Sequence, residues 1–124
     1  MKNIYLLFAL SGALAVILGA FGAHSLENKI SSDELAWFQT ANRYHFYHTL
    51  ALMATMLPAF SEKFRHRAGI FFLIGILFFS GSLYLMSISE LIGISRKWLG
   101  PITPIGGIFF ILGWISLLLG IRKQ

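Results

Sequence analysis

The four histidines and a small set of hydroxyl-bearing side chains are groups in this 124-residue chain whose types could move a proton or hold a ligand. His45 and His48 lie three residues apart and so share a helix face, and Tyr44, four before His48, is also its neighbour, so His48 sits between two possible partners. Neutral imidazole titrates near about pH 6.5, which suits proton relay or pH sensing. One ring nitrogen can also ligate zinc or haem iron, or hydrogen-bond a quinone or lipid headgroup. The plainer alternative is a satisfied interhelical hydrogen bond, for example from His48 to Ser80. His24 ends the first apolar run, where an interfacial cap is the ordinary role. Ser80, Ser82 and Tyr84 fall late in the third run, and Thr103 opens the fourth between Pro101 and Pro104. His24, Tyr44, His48, Ser80, Ser82 and Thr103 therefore form the candidate lining of a polar pocket. His45 is expected to reach the headgroups, and His66, in a basic loop, to be solvated.

These groups need elements to position them, and composition says which. Hydrophobic residues make up 56% of the chain and charged residues 12%, about half the charged share of an ordinary soluble domain. With a mean hydropathy of +0.72, lipid is the expected surround for most of the surface. Four apolar runs predict helices at about 4–23, 34–60, 68–88 and 102–121 in a single transmembrane domain spanning 1–124. A run of 20 residues spans about 30 Å as a helix, enough to cross a bilayer. Backbone groups in hydrocarbon must pair internally, so such runs are helices. Short links then give an all-α, antiparallel four-helix integral membrane bundle. The first run is longer than a signal-peptide core and is read as an uncleaved helix, although Ala20-Phe21-Gly22 resembles a cleavage site. Ser31-Ser32-Asp33-Glu34 has the form of a capping box, with Ser31 as N-cap.

Six Lys and Arg residues (Lys2, Lys63, Arg65, Arg67, Arg122, Lys123) fall on one side of these runs and four (Lys29, Arg43, Arg96, Lys97) on the other. The positive-inside rule places both termini and the 61–67 loop in the cytoplasm. His48 then lies roughly 10 Å below the outer boundary, about seven helical residues past an entry at Ala41. A polar group that deep is costly unless bonded or facing a watery cavity. Its face is expected to turn inward, toward Ser80 or Ser82. Arg43 and Glu90 are expected to pair at the outer edge. Ser11, Ala15, Gly19 and Ala23 recur every four residues, and Gly106, Gly113 and Gly120 every seven, as stripes for close helix contact. Thr103–Gly107 is either a helix start with proline in its first turn or a broken helix start exposing backbone to a substrate.

Several classes are excluded. There is no cysteine, hence no disulfide framework, thiolate site or cysteine nucleophile. No G-x-S-x-G, paired buried carboxylates or Walker loop appears, so no catalytic residues are assigned and no enzyme is expected. The net charge of +5 is scattered between apolar runs, which speaks for membrane orientation and not nucleic acid. Zinc would need His24, His45 and His48 to converge, and a bis-histidine haem would need His24 with His48. No metal site and no cofactor is expected.

Gly19-Ala20-Phe21-Gly22-Ala23-His24, then Gln39-Thr40, Tyr44 and His48-Thr49-Leu50-Ala51, then Phe79-Ser80-Gly81-Ser82-Leu83-Tyr84, then Thr103-Pro104-Ile105-Gly106-Gly107 with Gly113-Trp114, resemble in order and spacing the small four-helix bacterial inner-membrane family of unknown function. The resemblance covers nearly the whole chain. It implies a multi-pass protein of the bacterial plasma (inner) membrane and carries no activity. The family pattern tends to have Gln at the place of His45, which leaves His24 and His48 as the matched histidines. The resulting expectation is a non-enzymatic accessory or interaction protein with a polar pocket in the outer half of the bundle. Its partners would be membrane lipids and a membrane protein or a second copy of itself. The alternatives are a small transporter or proton-linked carrier, and a haem or quinone binding protein.

Overall fold

The structure, a computed structural model, describes residues 2–122, with only the backbone of Lys2. The Lys2 side chain and Lys123, both part of the charge count above, lie outside the described residues. The described chain is helical apart from turns and one isolated antiparallel bridge, Phe60 with Ile121. We label the helices α1 (Asn3–Leu26), α2 (Ser32–Ala54), α3 (Glu62–Ser87), α4 (Ser89–Ile92), α5 (Arg96–Leu99) and α6 (Ile102–Gly120).

Three stretches are long and apolar enough to cross a membrane: α1, α3 and the run Arg96–Gly120 that joins α5 to α6. The helix α2 has 23 residues, a comparable length. It carries Asp33, Glu34, Asn42, Arg43, His45 and His48, which sets its composition apart from the other three. Its start is the expected capping box: Ser31 N–H donates to Glu34 Oε2 at 2.8 Å and Glu34 N–H to Ser31 Oγ at 3.2 Å. Its end comes at Ala54, six residues before the expected 60. Thr55, Met56 and Leu57 turn back through N–H bonds to the carbonyls three residues earlier, because Pro58 has no N–H and disfavours helix in the residue before it. Conversely, α3 starts at Glu62, so the basic residues expected in a loop lie in its first turns.

The Pro-rich start of α6 is regular. Pro101 is the N-cap residue at φ −66°, and Pro104 sits where the missing donor costs nothing. The link before it is closed by Gly93 at φ +73°, the left-handed position where glycine ends a helix without strain. Two π turns interrupt the long helices: Ala23 N–H reaches back five residues to Leu18 O in α1, and Gly81 N–H to Ile76 O in α3. Turns of this kind are rare and collect at functional sites.

Packing is uneven. The helices α3 and α6 lie together along their length, whereas α1 rests mainly on α2, with only 6% of its span buried. Ala51, Leu52, Ala68, Phe72, Phe110 and Leu117 form the core. The backbone bonds Ser61 N–H to Gly120 O (2.7 Å) and Arg122 N–H to Ala59 O (3.1 Å) tie the α2–α3 link to the end of α6.

Candidate functional site

Asn42, His45 and Thr49 recur at i, i+3 and i+7 on α2 and so form one polar line along a single face. That face meets Ser11 on α1 and Tyr84 on α3. Ser11 Oγ lies 2.6 Å from Thr49 Oγ1 and 3.1 Å from His45 Nε2. His45 Nδ1 lies 3.2 Å from the Tyr84 hydroxyl. Asn42 Nδ2 donates to Tyr84 Oη at 3.1 Å and to the Ala15 carbonyl at 2.7 Å. The result is an unbroken side-chain chain from Thr49 through Ser11, His45 and Tyr84 to Asn42, drawn from three helices.

The hydrogen directions in this chain are not fixed by the heavy atoms. In one arrangement Tyr84 O–H donates to Nδ1, Nε2–H donates to Ser11, and Ser11 donates to Thr49. In the other, Thr49 donates to Ser11, Ser11 to Nε2, and Nδ1–H to Tyr84. Both satisfy His45 as a neutral imidazole, since a hydroxyl donates or accepts equally well. A proton entering at one ring nitrogen and leaving at the other interconverts the two arrangements.

His48 is of a different kind. Its Nδ1 lies 2.8 Å from the Tyr44 carbonyl, and Trp114 Nε1 lies 3.2 Å from its Nε2. A carbonyl only accepts and an indole N–H only donates. So Nδ1 carries the hydrogen, Nε2 is the acceptor, and a second proton would set two donors face to face. The ring is stacked on Phe110, with centroids 3.5 Å apart and planes 10° apart, and on its other flanks meets Tyr44 and Phe72. The expected interhelical bond of His48 thus exists, but to Trp114 and not to Ser80.

The remaining candidate residues fall into separate places. Ser82 Oγ pairs with Thr103 Oγ1 at 2.5 Å and donates to Phe79 O at 3.0 Å. Ser80 is fully buried, and its hydroxyl has no partner among the described residues. Tyr44 is half exposed and lies against the His48 ring. His24 is 86% exposed, 3.7 Å from Glu27; it is not brought to His48, so the haem pair of the sequence reading is not assembled. Among the described residues no group of three or more potential metal ligands converges. His45, expected at the headgroups, is buried because the rotation of α2 turns it toward α1 and α3. The network members that sequence reasoning passed over are Ser11, Asn42 and Thr49. The available signal was the i, i+3, i+7 spacing of the α2 residues, while Ser11 was read only as one of a stripe of small side chains. That stripe does face α2: Ala15 is buried and Gly19 sits under Asn42, where a Cβ would come within 2.6 Å of Asn42 Oδ1.

At the same end, Glu90 is taken by Arg96, whose Nη2 donates to it at 2.9 Å, so the expected Arg43–Glu90 pair does not form. Arg96 also donates to Glu34 and, at 3.0 Å, to Ser89 Oγ, and its guanidinium lies 5.0 Å above the Trp37 ring. It clamps the α4–α5 link to the first turns of α2. These turns precede the apolar part of α2. The Ser31 N–H first, then the Ser31 hydroxyl and Arg96, hold the Glu34 carboxyl below its ordinary range against the opposing effect of burial.

Arg43 instead edges a groove of about 400 Å³ between α1 and α2, with Gly19, Phe38, Gln39, Asn42 and Tyr47 among its walls. Among the described residues it makes no ion pair. Asn42 belongs to both features, lining the groove while bonding inward to Tyr84.

With this geometry in view, the comparisons with known proteins are consistent with one another. Residues 18–107 match the model of the family described as "Protein of unknown function (DUF423)". The chain is similar to a UPF0382 membrane protein of Haemophilus influenzae, 46% identical over 100% of this chain and 98% of the relative. It is 40% identical to one from Staphylococcus saprophyticus, over 99% of each chain. It is also 38% identical to the UPF0382 inner membrane protein YgdD of Escherichia coli, over 90% of this chain and 83% of that one. No solved structure matches.

Proposed function

Given that this chain belongs to the DUF423 family of membrane proteins, we propose that it is a non-enzymatic accessory component of the bacterial inner membrane. In this reading α2 is a fourth crossing, both termini lie in the cytoplasm, and the α1–α2 groove receives a membrane-embedded protein partner in the outer half of the bundle. The observation that carries the reading is Asn42. It links a surface groove holding an arginine with no ion pair among the described residues and an amide side chain, Gln39, to a buried hydrogen-bonded chain. A partner presenting a carboxylate or carbonyl at this depth would neutralise Arg43 and satisfy Gln39, with Phe38 and Tyr47 supplying apolar contact. The saturated ring nitrogens of His48 favour a structural role there over catalysis or ligation.

Photo-crosslinking in native membranes from a reactive residue at position 39 tests this. A discrete protein adduct that disappears with Arg43→Glu and returns when the partner's facing charge is reversed is the expected result. Adducts with lipid alone would overturn it.

One observation favours a second reading, a proton-linked carrier: both ring nitrogens of His45 face hydroxyls able to reverse their direction. Proteoliposomes carrying the protein would then dissipate a pH gradient. His45→Gln, which keeps a donor and an acceptor but does not titrate, would abolish the flux. Equal flux in the variant ends this reading.

A further inference from the structure

The opposite end of the molecule carries a second crevice, of about 450 Å³, where the start of α1, the end of α2 and the first turns of α3 meet. Its slot is apolar, walled by Ile4, Leu7, Ile70 and Leu73, and its rim is polar, with the Glu62 carboxylate, the Arg65 guanidinium and the His66 imidazole. The Arg65 guanidinium leans across the mouth, with Nη1 3.5 Å from the Met56 carbonyl, a contact that leaves most of its donors free. Among the described residues neither Glu62 nor Arg65 is in an ion pair. Among the described residues an anion and a cation therefore stand on one rim without an ion-pair partner, above a slot of the kind that takes hydrocarbon.

We propose that this crevice binds a phospholipid with a primary-amine headgroup, a phosphatidylethanolamine. The ammonium meets Glu62, the phosphate meets Arg65 and His66, and an acyl chain lies along Leu7, Ile70 and Leu73. The rim chemistry selects this class. A phosphatidylglycerol brings the phosphate without the cation and leaves Glu62 facing a negative charge. A phosphatidylcholine brings a quaternary ammonium that has no N–H to donate to the carboxylate. Guanidinium with phosphate is a charge-assisted and often two-point contact, so Arg65 contributes most to affinity and Glu62 to selectivity. The site lies at the other end of the bundle from the α1–α2 groove and stands or falls independently of the function proposed above.

Native mass spectrometry of the full-length, delipidated protein in detergent tests the assignment, with the three lipids matched in acyl chains. The expected order is phosphatidylethanolamine ahead of the other two by about fivefold or more. Glu62→Gln should bring phosphatidylglycerol level with phosphatidylethanolamine, and Arg65→Gln should weaken both by about tenfold, the scale of one charge-assisted bond. Gly69 lies on the crevice floor, and a Cβ there meets Ile4 and Thr55 at an ordinary 3.7 Å. Gly69→Leu therefore projects a side chain into the slot and should remove binding of all three. Lys97→Gln, at the other end, should leave the binding of all three lipids unchanged. Equal binding of the three lipids, an unchanged order in Glu62→Gln, or full competition by soluble glycerophosphoethanolamine would overturn the proposal.

Discussion

The seam between α3 and α6 and the seam between α1 and α2 solve the same problem in opposite ways. Along the first, glycines of one helix lie under aromatic rings of the other: Gly75 against Phe110, Gly113 against Phe72 and Gly120 against Phe64. At Gly106 the α6 backbone approaches that of Phe79 directly. Among the described residues one side-chain pair, Ser82 with Thr103, bonds these two helices, near the start of α6. Along the second seam, Ser11, the Ala15 carbonyl, Asn42, His45 and Thr49 hold the helices through hydrogen bonds, and α1 buries little. Helices in lipid associate by close packing and by hydrogen bonds worth about 0.6–2 kcal/mol each. A seam built on contact is rigid because every gap forfeits dispersion. A seam built on a few reversible bonds can shift its hydrogens or its helix at small cost. The difference places adaptability at α1–α2, beside the groove and the Leu18–Gly22 π turn, and stiffness at α3–α6.

The largest expected effect breaks the stiff seam. Gly106→Ala drives a Cβ into the Phe79 backbone, which no rotamer change relieves, and should cost about 3 kcal/mol, at the upper end of overpacking. Thermal unfolding in detergent measures it. Gly113→Ala meets the Phe72 ring at 2.5 Å, which can rotate at the expense of its Trp114 contact, and should cost about 1–2 kcal/mol.

Next comes the polar seam. Tyr84→Phe removes the hydroxyl shared by Asn42 and His45 and should cost about 1–2 kcal/mol. In a double-mutant cycle with Asn42→Leu the two losses should be clearly less than additive; simple additivity would show that the chain does not act as a unit.

A smaller effect concerns the Arg96 clamp. The Glu34 carboxyl is held below its ordinary range, so its contribution is fully present above the unfolded value of about 4.5 and is lost as pH falls through the lower folded value. Melting temperature should therefore drop on acidification below about pH 4.5 more steeply in the native protein than in Glu34→Gln. The smallest effect is at Arg43. It pairs with nothing among the described residues, so Arg43→Gln should leave stability within about 0.5 kcal/mol and membrane accumulation unchanged.

Much of the frame was legible in the chain. The Ser31–Glu34 capping box, the regular start of α6 at Pro101 and Pro104, and the inward small-residue stripe of α1 depend on neighbours within a few residues or on a simple repeat. The site was legible only in part. His45 and His48 lie on one broad helix face, and spacing alone cannot say which of them meets α1 and which meets α6. A rotation of α2 by a fraction of a turn exchanges their surroundings, and its sequence has apolar residues on every side. The end of α2 was misjudged because Thr55–Phe60 is apolar enough to continue a helix, while Pro58 and the bonds to α6 turn it aside.

The medium, the helical state and the caps followed from composition and local pattern, since hydrophobicity and i to i+4 geometry act without knowledge of the rest of the fold. Tertiary structure alone brought Arg96 to Glu34, set Trp114 as donor to His48, and threaded five side chains into one line through His45. Those choices join residues dozens of positions apart, and they are made by which helix faces can approach most closely.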